Sequence, residues 1–190
     1  MQEELPVFEI DYSLDFSKET INVIRTSLRN YIEMTAIVDN KANVLLSLSA
    51  LMIAFVVPLA LSNLDVIETY FLFIPLLLLA TTCAATIYLS TLVLAPFDFE
   101  KFDEELPEGL EPSPFFFGAA YKRSLPDYYL YLKESTEKKG MVRKHLAYDL
   151  FFIGRRLGEK MTLMHQTFRV FRYGVFFTLL ATAIVLMISL

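Results

Sequence analysis

Three long runs of the chain contain no charged side chain. Lys, Arg, Asp and Glu are absent from residues 44–64, 69–97 and 173–190. A hydrocarbon core of about 30 Å needs about 20 helical residues, at a rise of about 1.5 Å per residue. The pattern therefore predicts transmembrane helices over 44–61, 70–95 and 173–190. The alternative, three buried helices of a soluble protein, would leave too little polar chain to cover them.

The segment before the first run predicts a helix that enters the membrane without a break. Residues 1–16 form an acidic leader, and from Ile21 to Val38 apolar residues recur every three or four positions. This spacing is typical of an amphipathic helix. Because neither Pro nor Gly occurs between Ser17 and Pro58, the cytoplasmic helix over 17–43 should continue into the first span.

The segment over 96–172 predicts a cytoplasmic helical region. Residues 98–114 are acidic and rich in proline, which indicates a loop. A short helix is expected from Leu125 to about Lys139, with Pro126 near its start and Gly140 after its end. From Met141 an amphipathic pattern continues towards the third span, and the two should form one helix.

Composition agrees with this division. Hydrophobic residues make up 55% of the chain and charged residues 21%, and the two coexist because they occupy different segments. We therefore predict an all-α integral membrane protein with three transmembrane helices, cytoplasmic helical extensions and a small helical cap. Disordered chains and disulfide-rich scaffolds are excluded.

The positions of the basic residues predict the orientation. All 17 Lys and Arg lie before the first span or between the second and third, whereas the link over 62–69 contains only Asp65 and Glu68 as charged residues. By the positive-inside rule, residues 1–43 and 96–172 are cytoplasmic and the link lies outside. We predict a multi-pass membrane protein with its N-terminus in the cytoplasm.

No catalytic motif accompanies these helices. The sequence lacks a P-loop, GxSxG, HExxH and CxxC, so we predict no enzyme, no cofactor and no metal site. The net charge of −5 argues against a nucleic-acid partner. His145 and Asp149 are one helical turn apart, and we interpret them as a surface contact rather than a catalytic dyad.

A basic cluster near the third span is a candidate ligand site. Arginine forks match phosphate oxygens, and an aromatic ring can stack on a base. The alternative is a contact with anionic lipid headgroups. The predicted nucleotide-binding residues are Arg155, Arg156, Lys160, Phe152 and Asp149.

Polar side chains at the inner end of the first span form a second candidate site, which we call the boundary stripe. It contains Asp39, Asn40, Asn43 and Ser47. The more common role of such residues is solvation of a helix end. The sharper hypothesis is helix packing in a homo-oligomer, since three helices are too few to enclose an aqueous path. The stripe could equally pack within one protomer.

Several of these segments resemble the Pycsar effector transmembrane family (PycTM). The block DNKAN at 39–43 is the most specific part, and Val38 stands where the family usually has Ala. The resembling segments are 25–30, 37–47, 114–118, 128–129, 149–154 and Lys160.

The resemblance implies a role in antiphage defence. Members of this family sit in the bacterial inner membrane, respond to a cyclic nucleotide made on infection, and impair the membrane so that the cell stops growing or dies. The implied partners are the lipid bilayer, further copies of the chain and a cyclic nucleotide. Relatives often carry an appended nucleotide-binding domain, which these 190 residues lack, so either the cytoplasmic cap or a partner senses the signal.

Two other functions remain open on the residues themselves. The chain could anchor or regulate a soluble partner without sensing a ligand, and this alternative predicts an interaction surface on 97–171. A membrane-associated enzyme is the less favoured alternative, because no catalytic set is present.

Overall fold

The protein is all-α, as predicted. A computed structural model describes residues 18–96, 113–116, 123–138 and 140–189, and these residues form five helices without a strand. The helices are α1 (Lys18–Ser62), α2 (Leu64–Thr69), α3 (Phe73–Val93), α4 (Leu125–Glu137) and α5 (Met141–Ser189). The acidic leader, Ser17 and most of the expected loop over 98–114 lie outside the described residues.

Two helices combine an amphipathic segment with a candidate membrane span. The helix expected over 17–43 and the span expected over 44–61 are one continuous helix, α1. The amphipathic segment after Met141 likewise continues into the third span as α5. Three helices, α1, α3 and α5, are long and apolar enough to cross a membrane.

The link between the first two spans is more ordered than its sequence suggests. It contains the short helix α2, after which Phe71 adopts a left-handed φ of 52°. Because L-residues rarely continue a helix through this conformation, α3 begins at Phe73 rather than at Tyr70. At its other end α3 stops at Val93, shortly before Pro96, since a proline disfavours helical geometry in the residue before it.

The short helix α4 has a conventional start and stop. The Ser124 side chain accepts a hydrogen bond from the backbone N–H of Asp127 at 3.3 Å, which caps the helix N-terminus. Pro126 occupies the first turn, where its missing N–H costs nothing. Gly140 follows with a φ of 87°, a conformation that glycine adopts readily, and separates α4 from α5.

The chain divides into two compact units. The first comprises residues 1–31 and 98–154, and the second comprises residues 32–97 and 155–190. In the first unit the Tyr128 hydroxyl donates to the carbonyl of Pro114 at 2.9 Å. A Cβ on Gly154 would lie 2.9 Å from a ring carbon of Tyr31, so the two helices approach closely there.

The second unit is a three-helix membrane bundle. Large apolar side chains such as Phe55, Ile74 and Leu179 are 63–69% exposed on its outside, as expected for lipid-facing positions. Many of its buried side chains are small or carry a hydroxyl, beside larger apolar residues such as Leu157 and Met164. The small and hydroxyl residues among them are Ala42, Ser49, Thr82, Cys83, Thr86, Ser90, Thr167 and Thr178.

All four of these buried threonines hydrogen-bond to their own helix. Each donates its hydroxyl to the carbonyl one turn earlier: Thr82 to Leu78 and Thr86 to Thr82 on α3, and Thr167 to Leu163 and Thr178 to Gly174 on α5, at 2.8–2.9 Å. The absence of a side chain at Gly174 lets α5 approach α3, because a Cβ there would lie 2.1 Å from a methyl carbon of Thr82. Close backbone approach at small residues is the usual packing mode of membrane helices.

Candidate functional site

Two arginines of the predicted nucleotide site share one carboxylate. Arg155 lies 3.6 Å and Arg156 3.2 Å from Glu159, one turn further along α5. All three side chains are between 35% and 48% exposed. Exposed ion pairs of this kind contribute about 0–1 kcal/mol each, so a ligand phosphate could displace Glu159 at little cost.

Lys160 has a different partner, on another helix. Its Nζ lies 2.6 Å from Oδ1 of Asp39 in α1, and the two side chains are only 12% and 34% exposed. Partial burial makes the attraction stronger than at the surface, and removing one partner would leave a poorly hydrated charge. The structure thus joins a residue of the predicted nucleotide site to a residue of the boundary stripe, within the second unit.

Asp149 belongs to the first unit, where it accepts a hydrogen bond. The Ser113 hydroxyl donates to Asp149 Oδ2 at 3.0 Å, and the backbone N–H of Phe115 donates to the Ser113 oxygen at 3.2 Å. Burial raises the pKa of the Asp149 carboxyl to about 6, because the ionised form loses hydration, and the bond from Ser113 offsets part of this rise. Asp149 is therefore poised to change protonation near neutral pH.

His145 is buried rather than exposed at the surface. It is 7% exposed, and its ring meets Phe115 and Tyr131 edge-on at centroid distances of 6.5 and 6.4 Å. Within the described ranges its Nε2 has no hydrogen-bond partner. Burial lowers the pKa of His145, and the neighbouring Lys144 lowers it further, so the imidazole is neutral at pH 7.

The aromatic member of the predicted site, Phe152, lies in the first unit. Its ring packs edge-on against Phe151 at a centroid distance of 5.4 Å. Asp149 and Phe152 thus belong to one unit, and the cations Arg155, Arg156 and Lys160 belong to the other.

Most of the boundary stripe is exposed in the single chain. Asn40, Asn43 and Ser47 are exposed, whereas Asp39 is half-buried by its ion pair. The bundle is instead packed through the opposite face of α1, which carries Val38, Ala42, Leu45 and Ser49. Asn43 and Ser47 therefore do not pack inside the single chain, as one interpretation of the sequence had it. Their contact with a second copy stays a prediction.

Sequence reasoning missed two partners of these residues. Glu159 lies three and four positions after the two arginines, and the known pairing of side chains at this spacing could have identified it. Ser113 lies far from Asp149 in sequence, so no local pattern indicates their contact. Among the described residues, no group of three His, Cys, Asp or Glu side chains is placed to hold a metal ion.

Comparison with protein families identifies the chain. A sequence model of the PycTM family, described as the Pycsar effector protein domain, matches residues 23–188 and so covers nearly all of the three helices able to span a membrane and the segments between them. The chain belongs to the Pycsar effector family. The resemblance carried by the DNKAN block is thereby confirmed. No curated protein and no solved structure shows significant similarity to this Pycsar effector.

Membership of this family indicates where the three long helices lie and what process the protein serves. A Pycsar effector with membrane-spanning helices is a membrane protein of antiviral defence. The features described above then fall into two groups. The Asp149 cluster lies in the first unit, and the cations with their carboxylates lie in the second.

Proposed function

We propose that this Pycsar effector is triggered by a cyclic nucleotide made on infection and then impairs the bacterial inner membrane, so that the infected cell stops growing or dies. The observation that carries the proposal is the family match over residues 23–188, together with three helices able to span a membrane. The effector acts through a change in permeability rather than through catalysis. Its N-terminus lies in the cytoplasm, where the nucleotide is made.

Direct sensing would use the cations of the second unit. The phosphate of the nucleotide binds Arg155 and Arg156 in place of Glu159, whose exposed contacts are weak. A phosphate that also reached Lys160 would compete with Asp39 and so loosen the link between α5 and α1. Ligand binding and helix movement are thereby coupled through one ammonium group. The participation of Phe152 and Asp149 stays a prediction.

A reconstituted system tests the proposal. The purified effector is inserted into dye-loaded vesicles of phosphatidylethanolamine and phosphatidylglycerol, and a panel of cyclic mononucleotides and dinucleotides is added. One of them should release the dye, whereas the linear nucleotide with the same base should not. In parallel, infected cells that carry the effector should take up a membrane-impermeant DNA stain. Absence of both dye release and stain uptake would refute the proposal.

The phosphate contacts are tested by calorimetry. Arg156→Ala removes one charge-assisted hydrogen bond, which costs about 1.5–3 kcal/mol and weakens binding more than about tenfold. Glu159→Gln removes the competing carboxylate and should strengthen binding. If Arg155→Ala and Arg156→Ala both bind as tightly as the native chain, neither arginine contacts the phosphate.

A second candidate function is favoured by the pairing of the cations. Since Arg155, Arg156 and Lys160 already have carboxylate partners, the effector could anchor a soluble protein that senses the nucleotide instead. In that case infected cells take up the stain, but no nucleotide alone releases dye from vesicles. Addition of the soluble partner would restore the release.

Assembly and orientation complete the proposal. We place Asn43 and Ser47 at a contact between copies, so Asn43→Leu should leave expression and insertion intact, abolish toxicity and alter the detergent-solubilised oligomer. A variant that stays fully toxic with an unchanged oligomer would exclude this contact.

The orientation is tested by cysteine labelling in a Cys83→Ser background. A cysteine at Asn63 should react with an impermeant thiol reagent added to intact spheroplasts, and one at the exposed Glu137 should not.

A further inference from the structure

One face of α5 carries basic side chains, whereas the apolar runs of the other two spans contain no charged residue. His165, Arg169 and Arg172 follow one another at spacings of four and three residues, which places them on one side of a helix, and all three are exposed. We call them the intramembrane polar face. The opposite side of α5, with Met164 and Thr167, is buried in the bundle.

Two contacts within the second unit define the depth of this face. The first is the ion pair between Lys160 and Asp39, which sets α5 level with α1 near the cytoplasmic end. The second is the close approach of Gly174 to Thr82, which sets α5 level with α3 further along. Because one contact is made with α1 and the other with α3, each gives an independent measure of the depth of α5 relative to its neighbours.

Both contacts place Arg169 and Arg172 inside the apolar layer, deeper than the span expected over 173–190, which would leave them at its cytoplasmic end. From Lys160, α5 rises about 14 Å to Arg169 and about 18 Å to Arg172. The same rise from Asp39 along α1 reaches Leu48 and Leu51, inside the uncharged run over 44–64. On the antiparallel α3, the level just below Gly174 is that of Ala84, near the middle of the helix and of the uncharged run over 69–97.

Arginines at this depth cannot face lipid cheaply. Snorkelling brings a long side chain to the interface only near a helix end, and charged groups at mid-depth therefore face a protein interior or a water-filled cavity. Arg172 lies over the ring of the adjacent Tyr173 at 4.9 Å, with a guanidinium nitrogen 3.4 Å from its hydroxyl. Among the described residues, neither Arg169 nor Arg172 is paired with a carboxylate. The single chain thus leaves this face uncovered in the bilayer.

We propose that the intramembrane polar face is covered by a second copy of this chain, and that in the assembly Arg169 and Arg172 line a water-filled interior shared between copies. A second copy is the partner that fits, because it brings an equivalent polar face to the same depth in the membrane. Since the arginines need cover in the resting protein, this assembly exists before any signal arrives. Rings of arginine favour anions, so the interior selects for negatively charged solutes.

Cysteine variants in a Cys83→Ser background test the assembly in vesicles, using the full chain without nucleotide. Arg172→Cys and His165→Cys probe the face, and His165→Cys leaves both arginines in place. Tyr88→Cys is the matched control, because Tyr88 is 64% exposed on α3 and lies between His165 and Arg172 in depth. An impermeant cationic methanethiosulfonate reagent should label both probes but not the control.

Disulfide formation then reports whether a second copy is present. Copper phenanthroline should shift His165→Cys from its 21.8 kDa band to a band of twice that mass, and it should leave Tyr88→Cys unshifted. Probes that are neither labelled nor cross-linked would show that the face meets lipid, which overturns the proposal. Labelling without cross-linking at every protein-to-lipid ratio also overturns the proposal, because water would then reach this face in a single copy of the chain.

The anion preference rests on the proposed function, whereas the assembly does not. In triggered dye release, an anionic dye should leave before a cationic dye of similar size, and Arg172→Leu should remove this order. If cross-linking succeeds but no nucleotide releases dye, the proposed function fails and the assembly stands. If dye is released from vesicles whose probes never cross-link, the proposed function stands and this inference fails.

Discussion

The ion pair between Asp39 and Lys160 provides a quantitative test of how the membrane helices are held. The pair is short, at 2.6 Å, and its side chains are 12% and 34% exposed, which is intermediate between a surface pair and a buried one. Exposed pairs contribute about 0–1 kcal/mol, and breaking a fully buried pair costs about 3–5 kcal/mol. For Asp39→Asn we therefore expect a loss of about 2 kcal/mol in the free energy of unfolding.

The measurement is a double-mutant cycle of Asp39→Asn and Lys160→Met, with unfolding in mixed micelles followed by circular dichroism as SDS is added. The coupling energy between the two sites should be about 1.5–2 kcal/mol. The matched control is Arg156→Gln with Glu159→Gln, an exposed pair on one helix, whose coupling should stay below about 0.5 kcal/mol. Equal coupling in the two cycles would refute the reasoning, because burial would then add nothing to the first pair.

Two further predictions concern stability. In the folded chain the pKa of Asp149 is about 6, above its usual 3.8, so the folded state binds the proton more tightly and the free energy of unfolding should fall as the pH rises from about 4 to 6. In Asp149→Asn, pH-dependent unfolding should lack this part of the fall. A pH profile unchanged by the substitution would contradict the raised pKa. Gly174→Ala should destabilise the bundle, since its Cβ would meet Thr82 at 2.1 Å, whereas Gly158→Ala, with no atom within 4 Å of the new Cβ, should gain up to about 1 kcal/mol from helix propensity. Equal SDS midpoints for the two alanine variants would exclude a tight contact at Gly174.

The course of the helices could be predicted because it depends on local rules. The lack of Pro and Gly before Pro58 predicts the continuous α1, and Pro126 with Gly140 predicts the limits of α4 to within a few residues. The left-handed Phe71 could not be predicted, because an aromatic residue carries no preference for that conformation.

The partners of the candidate site were harder to predict than its members. The three cations are recognisable as a cluster in the sequence, but the pairing of Lys160 with Asp39 joins residues of different helices. Contacts of this kind follow from how the helices pack, which the spacing of residues along one helix does not determine. The burial of His145 has the same origin, since Phe115 and Tyr131 reach it from other segments.

The way the buried threonines satisfy their hydroxyls has a mechanical consequence. Thr82 and Thr86 bond to carbonyls of α3, and Thr167 and Thr178 bond to carbonyls of α5, so these hydrogen bonds travel with their helix. When α5 slides or rotates against α3, these four bonds are all retained. The resistance to shear then comes from packing contacts such as the close approach of Gly174 to Thr82. A change of register between α5 and α3 therefore costs packing contacts but none of these four hydrogen bonds.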